Sequence, residues 1–208
     1  MKQELLIRYP QLEKCVDEIE KAKEEMIACY ERGGKILLCG NGGSAADCEH
    51  IAGELMKGFL KKRLLSEERK KYLQEKFSCL EEDLLNKVQK GLPAISLPSL
   101  MAVNTAFAND VEPDYMYAQS VMAFGNENDI LIGISTSGNA VNVLNAVKMA
   151  KALDMTVIGL TGCTGGKMKK YADVCICAPE NETYKVQELH LPIYHYLCAA
   201  IEAYFYKG

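Results

Sequence analysis

The chain predicts an α/β fold, a three-layer α/β/α sandwich on a five-stranded parallel sheet, and three features carry that expectation. Five short apolar runs read as strands: KILLC (35–39), AISL (94–97), DILIGIS (129–135), MTVIGL (155–160) and DVCICAP (173–179). They alternate with helical stretches, and unbroken rather than every-other-residue hydrophobicity marks a parallel sheet covered on both faces. Two strands run into turns rich in glycine and hydroxyls, GNGGS (40–44) and STSGN (135–139), each opening a helix. Right-handed crossovers then give a doubly wound sheet.

Taken in order, the N-terminal segment 1–32 predicts one helix over 3–31, with Leu5, Leu6, Leu12, Val16, Ile19, Met26 and Ile27 near helical spacing. Gly33 and Gly34 end it, since glycine suits a left-handed cap. A helix follows the first strand over about 44–58, others are expected near 99–108, 114–123 and 139–153, and the last runs from about 182 to 206, where Pro192 removes a donor and should kink it. Residues 61–90 break the alternation. They are rich in charge, with apolar residues at 73, 77, 80, 84 and 88, and Ser66 followed by two glutamates is a credible helix start. We read one or two inserted amphipathic helices there, either a solvated or subunit-contacting face or a flap whose basic residues reach a ligand. No repeat or linker divides the chain, so a single domain over 1–208 is expected.

The 208 residues, 49% apolar and 25% charged, suit an ordinary globular domain. A net charge of −4 lacks the basic excess of a nucleic-acid or membrane binder. No apolar run approaches the roughly 20 residues of a bilayer span, and the N-terminus has no apolar signal segment, so the expected compartment is the cytoplasm. Nine cysteines include no C-x-x-C pair and are read as free, mostly buried thiols, without a zinc ribbon or redox motif.

Ligands of open parallel sheets bind beyond the carboxyl ends of the strands, where strand order reverses. Asn41, Gly42, Gly43 and Ser44 follow one strand and let backbone approach a ligand; Ser135, Thr136 and Ser137 follow another and offer three hydroxyls beside a helix N-terminus. Together they suit a phosphate, although each turn taken alone also reads as a helix cap. Neither fits the NTPase or dinucleotide glycine motifs. Of three histidines, His50 lies four residues before Glu54, while Gln187 and His195 are eight apart on the last helix, so each pair shares a helix face. A metal or acid–base site can be assembled from two such faces, and surface pairs would read the same way.

KILLCGNGGS, NDILIGISTSGNAVNVLNAVKMAKALDMTVIGLTG and TYKVQELHLPIYH resemble the SIS (sugar isomerase) domain family and its phosphoheptose isomerase branch over about 30–60 and 92–207. The resemblance implies a flavodoxin-like sandwich, an aldose–ketose isomerase acting on sedoheptulose 7-phosphate, and a homotetramer with active sites between subunits. It also implies zinc at His50, Glu54, Gln187 and His195, with Glu54 and His195 as the acid–base pair. Asn109 and Asp110 fall on a pair that contacts substrate hydroxyls, and they also suit a helix-ending turn. His190 reads as a supporting hydrogen-bond partner or as packing. Two branch features differ here: Ala140 replaces a serine after STSGN, and the arginine of the GRY/GRF segment is absent from Leu55-Met56-Lys57-Gly58-Phe59, with Lys57 or a basic residue of 61–90 as substitute. The insertion is a third difference. The competing readings are a non-catalytic relative of the kind that binds a replication initiator, which the presence of both Glu54 and His195 opposes, and an isomerase of another ketose phosphate.

Overall fold

The computed structural model describes residues 1–206. Its strands are β1 (Ile36–Gly40), β2 (Ala94–Ser96), β3 (Ile130–Ser135), β4 (Thr156–Thr161) and β5 (Val174–Cys177), all parallel, in the order β2-β1-β3-β4-β5. The helices are α1 (Lys2–Arg8), α2 (Val16–Glu31), α3 (Gly43–Met56), α4 (Glu67–Lys76), α5 (Glu82–Lys87), α6 (Met101–Asp110), α7 (Met116–Phe124), α8 (Val141–Ala152) and α9 (Thr183–Phe205). Successive strand residues feed opposite layers. Ile36 and Leu38 join Ile130, Ile132 and Ile158 beneath α2, α3 and α9, whereas Leu37, Cys39, Leu131 and Val157 pack under α7 and α8. This two-sided burial is why the strands read as continuous apolar runs.

From β1 the chain first steps to β2, then crosses back to β3 on the other side. The reversal lies between β1 and β3, whose ends are nearly level, Gly40 opposite Ile134 with Ser135 one residue beyond. The GNGGS and STSGN turns therefore emerge side by side at the switch point.

Two expectations need correction. The single helix over 3–31 is divided by a 3₁₀ turn at Pro10–Cys15. Pro10 has no N–H to donate, and Tyr9 before it leaves the helical region (φ −134°, ψ 67°). The apolar stripe of 61–90 is also discontinuous, because the chain is extended at Phe77 between α4 and α5. Phe77, Leu84 and Val88 are exposed, while Leu85, outside the expected stripe, is buried. Ser66 does cap α4, its Oγ accepting from Arg69 N at 3.2 Å. The insertion is pinched at its base by a Leu64–Gln89 bridge and a Lys90 N→Arg63 O bond of 2.8 Å, so the α3-to-β2 connection survives it. Helix α9 continues through Pro192. Among the described residues no helix is long and apolar enough to cross a membrane.

Helices α3 and α9 lie side by side and run in the same direction, and a buried ion pair joins their carboxyl ends. Glu202 accepts from the amides of Phe59, Leu60 and Lys61 and from Arg63 Nε at 2.8 Å. The Arg63 guanidinium also donates to the carbonyls of Leu55 and Glu54, capping α3 where its own helical donors run out, and lies 4.8 Å from the Tyr206 ring centroid. Both charged side chains are almost wholly buried. Burial acts to raise the Glu202 carboxyl, but the Phe59 and Leu60 amides and Arg63 outweigh it and hold the group below its ordinary value of 4.5. The carboxylate's contribution to stability is therefore complete above that value and fades as pH falls through the lower, folded-state value. Leaving Arg63 unmatched by Glu202→Gln should cost about 3–5 kcal/mol at neutral pH. In urea melts the gap to wild type should narrow on acidification; a gap independent of pH would contradict this account.

Candidate active site

Helix α3 starts directly at the end of β1 because Gly42 turns the chain with φ 57°, and no side chain caps it. Gly43 leaves room for the Gln187 amide: a Cβ there would lie 2.4 Å from Gln187 Nε2. Asn41 reaches across to the start of α8 through a reciprocal amide pair with Asn142, at 2.8 and 2.9 Å, and the Tyr117 hydroxyl donates to Gly40 O at 2.7 Å. The two turns are thus tied together at the sheet edge.

In the second turn the backbone carbonyls face inward. Ser135 O accepts from Gly138 N, Thr136 O from Gly162 N, Gly138 O from Met168 N, and Ser137 O from the Asn139 side chain at 2.8 Å. Gly138 has φ 65° and presses so closely on Gly165 that a Cβ would lie 2.1 Å from its carbonyl oxygen. Among the described residues nothing engages the hydroxyls of Ser135 and Thr136, and the positive end of α8 begins a few residues on. A rim of donors with its carbonyls turned away is suited to an anion.

Further along α3 and α9 the polar side chains converge within one chain. His50 Nε2 is 3.4 Å from His195 Nε2 and 3.4 Å from Glu54 Oε1, while Glu54 Oε2 meets the exposed Lys57 ammonium at 3.1 Å. His195 is flanked by the rings of Phe59, Tyr194 and His50, with centroids 5.6, 5.0 and 5.0 Å away. Burial and the neighbouring His50, opposed by Glu54, set its imidazole below the ordinary value, favouring the neutral form. Beneath them the Tyr194 hydroxyl lies 3.0 Å from His50 Nδ1 and 3.3 Å from Asp47 Oδ1.

Not every expected residue joins this cluster. Gln187 lies against Gly43; its eight-residue separation from His195 keeps one helix face but spans about 12 Å of axis, so it stands near the GNGGS turn. Asn109 and Asp110 are at the exposed end of α6, the Asn109 amide bonded to the Asp110 carboxylate at 2.9 Å. His190 is fully buried, its Nε2 3.2 Å from Thr161 O and its Nδ1 without a partner among the described residues, and burial lowers it to about 4. Of the basic residues offered as substitutes for the missing arginine, Lys57 pairs with Glu54, whereas Arg63 turns inward onto α3. Asp47, Tyr194 and Asn142, and the inward turn of Arg63, lie outside the sequence reading. Asp47 stands one turn before His50, a signal open to inspection; the others depend on tertiary contacts.

The residues can be tested against a bound divalent ion. Zinc–nitrogen and zinc–carboxylate bonds of about 2.0–2.2 Å imply tetrahedral ligand separations of about 3.3–3.6 Å. The His50–His195 and His50–Glu54 distances, both 3.4 Å, fit that edge. Among the described residues no group of three or more His, Cys, Asp or Glu side chains forms a finished cage. The donor types and the two separations at His50 fit, while Gln187, two turns from His195 and against Gly43, stands apart.

At the start of α8, Ala140 occupies the N-cap and offers no side-chain acceptor. Ala140→Ser should restore one and stabilise the fold by about 0.5–1 kcal/mol, read as a higher midpoint in thermal unfolding. No gain would show that the Asn142 side chain, which accepts from Val143 N at 2.9 Å, already serves as the cap.

Comparison with known proteins agrees with this geometry. A family model described as the SIS domain matches residues 8–84 and 84–162. The chain is 38% identical over 209 residues to the phosphoheptose isomerase of Helicobacter pylori, covering 99% of this chain and 95% of the relative. It is 40% identical to that of Campylobacter jejuni subsp. jejuni, covering 90% of this chain and 87% of the relative. The solved phosphoheptose isomerase of Neisseria gonorrhoeae superposes with a TM-score of 0.76 at 34% identity, over 97% of this chain and 94% of that one. The chain belongs to the SIS-domain family and, within it, to the phosphoheptose isomerases.

Proposed function

We propose that the chain interconverts sedoheptulose 7-phosphate and D-glycero-heptose 7-phosphate, and that the convergence of Glu54 and His195 on His50, along α3 and α9 from the GNGGS turn, carries this reading. Ketose-to-aldose conversion moves a proton from C1 to C2 through an enediol. The Glu54 carboxylate takes the proton from C1 as the C1=C2 bond forms and the carbonyl oxygen at C2 gains a proton. Glu54 then returns its proton to C2, while the C1 hydroxyl loses one and becomes the aldehyde oxygen. His195 gives its ring proton to the C2 oxygen in the first step and recovers one from the C1 hydroxyl in the second, a role suited to a neutral imidazole that can donate and accept in turn. Ser135, Thr136, Ser137 and the start of α8 hold the phosphate, with Asn41, Gly42, Gly43, Ser44 and Gln187 along the sugar and Asn109 and Asp110 contributed where copies meet. That last contact fits a homotetramer with sites between subunits, in the cytoplasm.

A zinc ion held by His50, Glu54 and His195 would polarise the carbonyl and stabilise negative charge on the enediolate oxygens, while Gln187, against Gly43 two turns from His195, stands outside this set within one chain. The donor types and the two 3.4 Å separations support this assignment.

Glu54→Gln and His195→Gln should each lower kcat by about 10²–10⁴-fold with smaller changes in KM, measured as aldose phosphate formed from sedoheptulose 7-phosphate. Dialysis against a chelator should remove the metal found by elemental analysis and lower turnover, with zinc restoring it. Full activity in both variants would contradict the acid–base assignment. Full activity in demonstrably metal-free protein would remove zinc from the account while leaving the protein residues in place.

A further inference from the structure

Beneath the histidine pair lies a polar chain that the acid–base reading leaves without a role. Tyr194 is 2% exposed and stands between Asp47 and His50, its hydroxyl 3.3 Å from Asp47 Oδ1 and 3.0 Å from His50 Nδ1. A phenol has a single proton, so it can donate to only one of these neighbours and must accept from the other. The direction is decided at Asp47. Its Oδ2 is buried with no partner among the described residues, and Tyr194 is the side-chain donor to its Oδ1. If the phenol proton went to His50, a desolvated carboxylate would have lost that donor, a heavier penalty than any cost to a neutral imidazole. The proton therefore points to Asp47, and the phenol oxygen accepts from His50 Nδ1–H.

This has a consequence on the other side of the ring. With the proton on Nδ1, the Nε2 of neutral His50 bears a lone pair, and Nε2 is the atom 3.4 Å from both His195 Nε2 and Glu54 Oε1. We infer that Tyr194, backed by Asp47, is a positioning residue that locks His50 in its Nδ1–H tautomer and aims a lone pair at the Glu54–His195 cluster. A histidine that binds a cation needs that orientation, commonly fixed by an acceptor on its second nitrogen. The inference rests on the reading of this cluster as the isomerase centre and assigns work to a side chain that touches neither substrate nor ion.

The test is the ring-nitrogen NMR spectrum of uniformly ¹⁵N-labelled, metal-free protein, recorded above the histidine titration range. With three histidines in the chain, His50→Gln identifies the His50 signals. Wild type should show His50 with a protonated Nδ1 and an unprotonated Nε2, and Tyr194→Phe, which keeps the ring packing, should shift His50 toward Nε2–H. Zinc affinity, read by competition with a chromophoric chelator, should fall by about 10–100-fold in Tyr194→Phe, measured at a temperature where that variant, stripped of the donor to Asp47, still shows the wild-type far-UV circular dichroism of a folded chain. An Nε2–H tautomer in wild type, or an unchanged tautomer in Tyr194→Phe, overturns the inference. Failure of wild type to bind zinc counts instead against the metal reading, and the tautomer still decides this one.

Discussion

The relative placement of α3 and α9 governs everything the site can do. Contacts between them advance in step, Gly43 with Gln187, Asp47 and His50 with Tyr194 and His195, and the end of α3 with Glu202 through Arg63. A slip of one residue along either helix would turn its polar face by about 100° and separate Glu54 from His195. The Arg63–Glu202 pair opposes such a slip because it has no solvent to fall back on. Glu202 gathers three amides and a guanidinium, and Arg63 caps the very turn that carries Glu54. The insertion that begins there is pinched off at its base and leaves this arrangement intact.

The cluster and the turns make opposite electrostatic demands. Where β1 and β3 end, the Ser135 and Thr136 hydroxyls are unengaged among the described residues and the carbonyls of the turn are satisfied internally, which favours an anion without a lysine. Lower on the helices, His50 Nε2 lies 3.4 Å from both the Glu54 carboxylate and His195 Nε2, with His195 biased toward neutrality. Lone pairs so placed repel unless a proton or cation lies among them. On the proposed reading, the turns take the far end of the sugar phosphate and the basic, cation-seeking cluster its near end.

Much of this was legible in the sequence because it rests on local patterns. Double-faced strand burial gave KILLC, DILIGIS and MTVIGL away as parallel strands, and the two turns follow directly from where those strands stop. Helical phase placed His50 with Glu54 correctly on one face. Phase without rise was the weakness for Gln187, which shares His195's face but stands two turns away. The N-terminal break at Pro10 was a local signal outweighed by the apolar spacing around it. The apolar residues of 61–90 showed helical spacing across an extended break that spacing alone does not register. Arg63 looked like one more charge in a basic run; only the tertiary pairing with Glu202, 139 residues later, shows it to be buried structure. Tyr194 likewise reads as an apolar position until Asp47 and His50 close around it.

The central claim is that Glu54 exchanges a proton with C1 of the ketose. The most direct measurement is the loss of deuterium from sedoheptulose 7-phosphate labelled at C1, followed in ordinary water by mass spectrometry. Wild-type protein should wash the label out at least as fast as it forms aldose, and Glu54→Gln should retain it while still binding the phosphate. Washout at the wild-type rate in Glu54→Gln would contradict the account and move the base elsewhere.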